Sequence, residues 1–306
     1  MRFIHLLLLA LHTSTLCFSS SFSGPLLEQD ERGLLRDHCQ LVAEAAQRAY
    51  TRINQHWSYP DAAIAEKGST TSPYWTLEDE LFLLVPNKTY FAEIAQNGPI
   101  DFCAAFNSLL DSPAQLECRL AMQVSKIMCT CALLGEDSFN KLARSIWEDV
   151  HAKEEEQFFL EVLSEKFWGH APVPQRSAQL IGRSLYIANV SDYVTRFPKG
   201  SFRGHNLMCV GLDLFMGFGD IFKNGPVSIE DVLKDLHRAY ADTTLSFDKF
   251  LLRQGLAQRE YALYSMTGVL DVRGIRDFKE TKQLAIAHDL PEDSEASHRS
   301  QASSSL

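Results

Sequence analysis

The chain has 306 residues, 45% of them apolar and 22% charged, with a formal net charge of −10. This is the composition of an ordinary globular protein, long enough for one large domain or two modest ones. The acidic balance, with no dense Lys/Arg cluster, argues against a nucleic-acid partner. Beyond the N-terminus no apolar run reaches the roughly 18 residues that span a bilayer.

The chain opens with MRFIHLLLLALHTSTLCFSSSFSG: one early cation, Arg2, then an apolar stretch over 3–11, then small polar residues. That outline predicts a secretory signal peptide over residues 1–23, cleaved between Ser19 and Gly24, and export to the periplasm or the extracellular space. The competing expectation is a buried N-terminal helix. Residues 26–57 place apolar side chains at helical spacing, with acids early and bases late as the helix dipole prefers. SYPDAAIAEKGSTTS, over 58–72, reads as a loop. Together these form a helical extension over 24–72.

Residues 81–85 alternate enough for a short strand, and 92–96 form a helical turn ended by NGP. The helix carrying Cys118 follows, closed by Gly135. A second helix runs from Asp137 into EDVHAKEEEQFF, whose charges suit a solvated helix face. GRSLYIANV, 206–210 and 214–218 supply strands of a small antiparallel sheet. Residues 231–240 and 247–264 return to helix, and the polar tail over 283–306 is expected to be disordered. The order of elements predicts an α+β fold, with a nucleophile helix packed on the sheet.

Six cysteines remain after signal removal: Cys39, Cys103, Cys118, Cys129, Cys131 and Cys209. They are scattered through apolar segments rather than spaced as a small disulfide framework. Cys129 and Cys131, two apart on a helix, diverge too far to pair. No cysteine pair at zinc spacing has a matching histidine pair, so no metal is expected.

Cys118 stands where a polar approach gives way to a long apolar helix, flanked by Glu117 and Arg119. A free cysteine in such a helix is usually a small packed hydrophobe. A nucleophilic one belongs in the first turn, where unpaired N–H groups and positive potential stabilise a thiolate and a developing oxyanion. DSPA at 111–114 is itself a good helix start and would leave Cys118 too deep. A nucleophile therefore requires a short turn at 112–115, a break, and a helix beginning close to Cys118. His205 opens a strand later in the chain, and cysteine on a helix followed by histidine on a strand is the papain-like order of roles. An imidazole suits proton shuttling near neutral pH. Glu117 is a second candidate base, or else an exposed acid at a helix start. Asp213 and Asp220 could orient His205, and Cys103, in DFCAAF, is a rival nucleophile.

AEIAQNGP, ECRLAM continuing to LLGEDSFN, LYIANV followed by FRGHNLMCVG, and LLRQGLAQREYALYSMTGVLDVRGIRDF are the residues that carry a likeness. Over 74–278 the chain resembles the bacterial spore-coat protein-glutamine γ-glutamyltransferase (transglutaminase) family. Cys118 precedes Gly135 by 17 residues, in step with the family pattern. The resemblance implies a papain-like core, related to cell-wall peptidases, over 73–282, and no cofactor. It implies protein substrates bearing glutamine and lysine, cross-linked through a thioester on Cys118. It also implies a role for Glu117, since the family has a glutamate there. Three departures stand out. IDFCAAFNSLLDSPAQL is extra and could cover the site as a lid. The family's RGEN, whose glutamate is the catalytic partner, reads RGHN with His205. A family histidine is replaced by Phe218. Glutamine deamidation or cell-wall peptidase action by the same thioester route, and a non-catalytic exported binding protein on the same fold, remain open alternatives. The aromatic residues Tyr74, Trp75, Trp168 and Phe202 are available for an apolar rim that would favour an amine over water.

Overall fold

Helix α1 (Gln29–His56) is long because no proline interrupts it, and it is amphipathic because Val42, Ala46, Ala49 and Ile53 recur every three or four residues and are buried together with Tyr50. Its alanines let it lie close against the helix that carries Cys118, and both contribute to one apolar core. The computed structural model describes residues 29–59, 69–78, 83–172, 177–190, 192–197, 202–240, 245–260, 266–271, 275 and 277–278. The expected signal peptide and polar tail lie outside these residues.

After α1 the chain forms β1 (Trp57–Ser58), β2 (Ser69–Thr70), β3 (Trp75–Glu78), β4 (Leu83–Pro86), α2 (Lys88–Ala95) and α3 (Phe102–Asp111). Then come β5 (Ala114–Gln115), α4 (Cys118–Leu134), α5 (Glu136–Ala152) and α6 (Phe159–Glu165). Gly135 joins α4 to α5 at φ 77°, a left-handed φ that glycine adopts freely, and its N–H closes α4 on Cys131 O at 2.9 Å.

The second half builds β6 (Trp168–Pro172), β7 (Ser184–Ala188), α7 (Tyr193–Arg196), β8 (Gly204–Gly211), β9 (Leu214–Gly217) and β10 (Val227–Ser228). Helices α8 (Ile229–Tyr240) and α9 (Phe247–Glu260) and strand β11 (Met266–Leu270) complete it. The sheet runs β10-β9-β8-β7-β11-β6 with antiparallel neighbours. The chain is α+β, as the order of elements predicts. Strands β6 and β11 were not anticipated, and they pair from Met266 to Leu270.

Both faces of this sheet are covered. Met208, Met216 and Phe218 join the core shared with α1 and α4. Ile187, Leu207, Cys209 and Phe215 join a second core with Val232, Leu233 and Leu236 of α8 and Phe250 of α9. Successive residues of a strand therefore enter different cores.

The extra segment is not a lid. It forms α3, whose Phe102, Cys103, Ala105, Phe106, Leu109 and Leu110 are all buried in the first core. Burying side chains of this size contributes roughly 1.5–3 kcal/mol for each large one, so the helix is a structural wall that cannot lift away without exposing the core.

Candidate active site around Cys118

The chain before Cys118 is held extended by its neighbours. Trp57 and Ser58 of β1 pair in parallel with Ala114 and Gln115 of β5, and Leu116 N–H donates to Ser58 O at 3.0 Å. Glu117 is still extended, at φ −86° and ψ 159°, and serves as N-cap without bonding any amide through its side chain. Cys118 is thus the first helical residue. The break required for a nucleophile is present, and the stretch expected as a turn is a two-residue strand instead. The pairing with β1 prevents DSPA from starting the helix early.

Side chains from two other elements converge on the half-buried sulfur. Asn206 of β8 donates Nδ2–H to Cys118 Sγ at 3.4 Å. The Tyr59 hydroxyl, just past β1, is also within hydrogen-bonding reach of the sulfur, and it donates to Phe218 O at 3.2 Å. One hydroxyl carries one proton. It can serve the carbonyl while the thiol is protonated, and turn to the sulfur when a thiolate forms.

Tyr59 is held by its surroundings. Its ring lies 4.5 Å from that of Phe218, which Trp57 meets edge-on at 6.4 Å. Asn54 of α1 fixes the end of β9, donating to Gly217 O at 2.9 Å and accepting from Gly219 N–H at 3.0 Å. Phe218 therefore packs Tyr59 beside the sulfur.

Burial pushes the Cys118 thiol above its ordinary pKa. The Asn206 hydrogen bond opposes this, the nearby Glu117 charge adds to it, and the Tyr59 hydroxyl and the residue's own amide oppose it, with a net upward result. These surroundings favour the protonated thiol. Glu117 is exposed and is the carboxylate adjoining Cys118 in sequence.

His205 does not meet the expectation placed on it. It precedes Asn206 on a regular stretch of β8, paired with Ile187, and so its side chain leaves the opposite face of the sheet. There it is buried, with Nε2 3.1 Å from Asp235 Oδ2 of α8 and its ring 5.7 Å from that of Phe222. Its partner is neither Asp213, which forms the β8–β9 turn at φ 57°, nor Asp220, which pairs with Lys223 at 2.7 Å. As a direct partner of Cys118, His205 is ruled out by strand parity.

The remaining candidates fall elsewhere. Cys103 is buried in α3 and touches Cys131. Cys129 turns to Val42 O, so Cys129 and Cys131 do diverge. Trp75 is a core residue between Phe106 and Phe159, Trp168 is buried with Lys126 over its ring, and Phe202 lies against His205 on the far face. Among the described residues no group of three or more His, Cys, Asp and Glu side chains is placed to hold a metal ion. No described helix is long and apolar enough to cross a membrane.

Tyr59, Asn206 and Asp235 were not anticipated. Asn206 stood one residue from the expected base, and only the parity of β8 separates them. Comparison with protein-family models and with curated proteins returns no match.

Proposed function

We propose that this chain is a thiol-dependent acyltransferase of the protein-glutamine γ-glutamyltransferase type, on a papain-like arrangement of helix and sheet. The observation that carries the reading is the setting of Cys118: first residue of a 17-residue helix, with Asn206 and Tyr59 reaching its sulfur from two other elements. Packing alone does not call for two polar side chains around a small hydrophobe.

In this reading Glu117 takes the thiol proton as the sulfur attacks the γ-carboxamide carbon of a glutamine. Asn206 and Tyr59 steady the thiolate, and the free amides of the first turn of α4 meet the oxyanion. Glu117 then returns the proton to the departing nitrogen, ammonia leaves, and a thioester remains on Cys118. An amine such as a lysine side chain attacks the thioester, forming a new amide and restoring the thiol. Glu117 thus takes the base role expected of His205, and it alternates between base and acid.

The test is incubation with a glutamine-bearing peptide and a primary alkylamine, read by mass spectrometry. Amine incorporation that disappears in Cys118→Ala supports the proposal. Ammonia release with conversion to glutamate alone, unchanged by added amine, would identify a hydrolase on the same site. No change in the peptide by the wild-type protein would leave the non-catalytic alternative.

A further inference from the structure

Far from Cys118, a pair of thiols meets between two helices. Cys103 of α3 and Cys131 of α4 hold their sulfurs 2.7 Å apart. Cys131 lies 13 residues beyond Cys118 on the same helix, about 20 Å along its axis at 1.5 Å per residue. The pair is therefore separate from the site around Asn206 and Tyr59.

Cys131 is itself buried, but it stands at the wall of a cavity rather than deep in the core. It lines a cavity of about 750 Å³ between α1, α3, α4 and α5, walled by Arg48, Arg52, Asn107, Met128 and Glu136. Cys103 stands behind it, almost fully buried. The contact with Cys131 and burial hold the Cys103 thiol well above its ordinary pKa, with the Glu136 and Asp101 charges adding to the effect. Cys103 is accordingly a poor first target for an oxidant, while Cys131 is reachable from the cavity.

We infer that Cys103 and Cys131 are a modification site, closing into an intramolecular disulfide by exchange with a small peptide disulfide that enters through this cavity. The inference does not depend on the chemistry of Cys118. The Cys131 thiol loses its proton and attacks one sulfur of the entering disulfide, giving a mixed disulfide and releasing one reagent thiol. Cys103 then loses its proton and attacks the Cys131 sulfur, and the second reagent thiol leaves. The two protein protons end on the two released thiols. The protein is oxidised by two electrons and one disulfide is reduced. The sulfurs need to approach by only about 0.7 Å to reach bonding distance (about 2.05 Å).

Oxidised glutathione is the probe. The full chain is incubated with it, denatured and alkylated with iodoacetamide, then digested without reduction and analysed by mass spectrometry. The expected product is a peptide pair joined through Cys103 and Cys131, from protein that stays monomeric on a non-reducing gel, with the link removed by dithiothreitol. Cys103→Ser should stop at glutathione attached to Cys131. If that variant lacks the wild-type circular dichroism spectrum, the wild-type cross-link alone decides. Recovery of both Cys103 and Cys131 as alkylated thiols after oxidation, or a link from Cys131 to any other cysteine, would overturn the inference.

Discussion

The amide nitrogen of Asn206 lies 3.4 Å from the sulfur of Cys118, joining the middle of the sheet to the first turn of α4. This contact determines which face of β8 belongs to the site. It also leaves His205, the next residue back, bonded to Asp235 on the other side.

Loss of that donor should be felt at the thiolate and hardly at all in the fold. Asn206→Ala is expected to slow alkylation of Cys118 at neutral pH about tenfold, in line with losing a hydrogen bond to a charged group. The measurement is the pH dependence of the iodoacetamide rate at this one cysteine. An unchanged profile would remove Asn206 from the site.

Glu117 gives a prediction with two signs. Its negative charge helps hold the Cys118 pKa up, so Glu117→Gln should lower that pKa and speed alkylation just below the ordinary thiol range (about 8.5). If Glu117 moves the proton during acyl transfer, the same substitution should slow turnover about 10²–10⁴-fold. A variant that alkylates faster and turns over slower separates the two roles. One that turns over normally means Glu117 acts only through its charge.

His205→Ala should do the reverse of what a catalytic histidine would. It leaves Asp235 without its imidazole partner and opens space beside Phe222, so a stability loss of about 1–3 kcal/mol is expected by denaturant unfolding. Alkylation of Cys118 should stay within about twofold of wild type, since rates scale with thiolate fraction and His205 does not face the sulfur. A collapse of alkylation with stability intact would contradict the assignment of faces.

These residues also show where the sequence was legible. The Cys118 helix could be read with its start and its Gly135 stop, because a nucleophile needs a first-turn position and glycine marks the end. The sheet strands β7, β8 and β9 were legible for the same kind of local reason. The parity of β8 was not. Leu207 and Cys209 face one core while Met208 faces another, so a strand buried on both sides shows no polar-apolar alternation to assign His205 or Asn206 to a face. Tyr59 was hidden because its loop is local in sequence while its partners, Phe218 and Cys118, are remote. The extra segment read as an insertion, and only its burial identified α3 as core.

Gly217 tests the frame behind Tyr59. A Cβ there would come within 2.9 Å of Asn206 O, Leu207 Cδ2 and Phe222 Cε2, so Gly217→Ala must push β9 away from β8. Overpacking of this kind costs about 1–3 kcal/mol. Because Asn54 and Phe218 are anchored at the same point, Cys118 alkylation should also change. Full wild-type stability by thermal unfolding would show that β9 can shift freely and that the frame is softer than described.

The most direct test of the account is to catch the acyl group on the sulfur. The protein is mixed with a glutamine-bearing peptide in the absence of amine, quenched in acid within seconds, and weighed intact. The account predicts an adduct equal to the peptide less ammonia, located on Cys118, discharged by hydroxylamine and absent from Cys118→Ala. An adduct on another residue, or its persistence in Cys118→Ala, would contradict it.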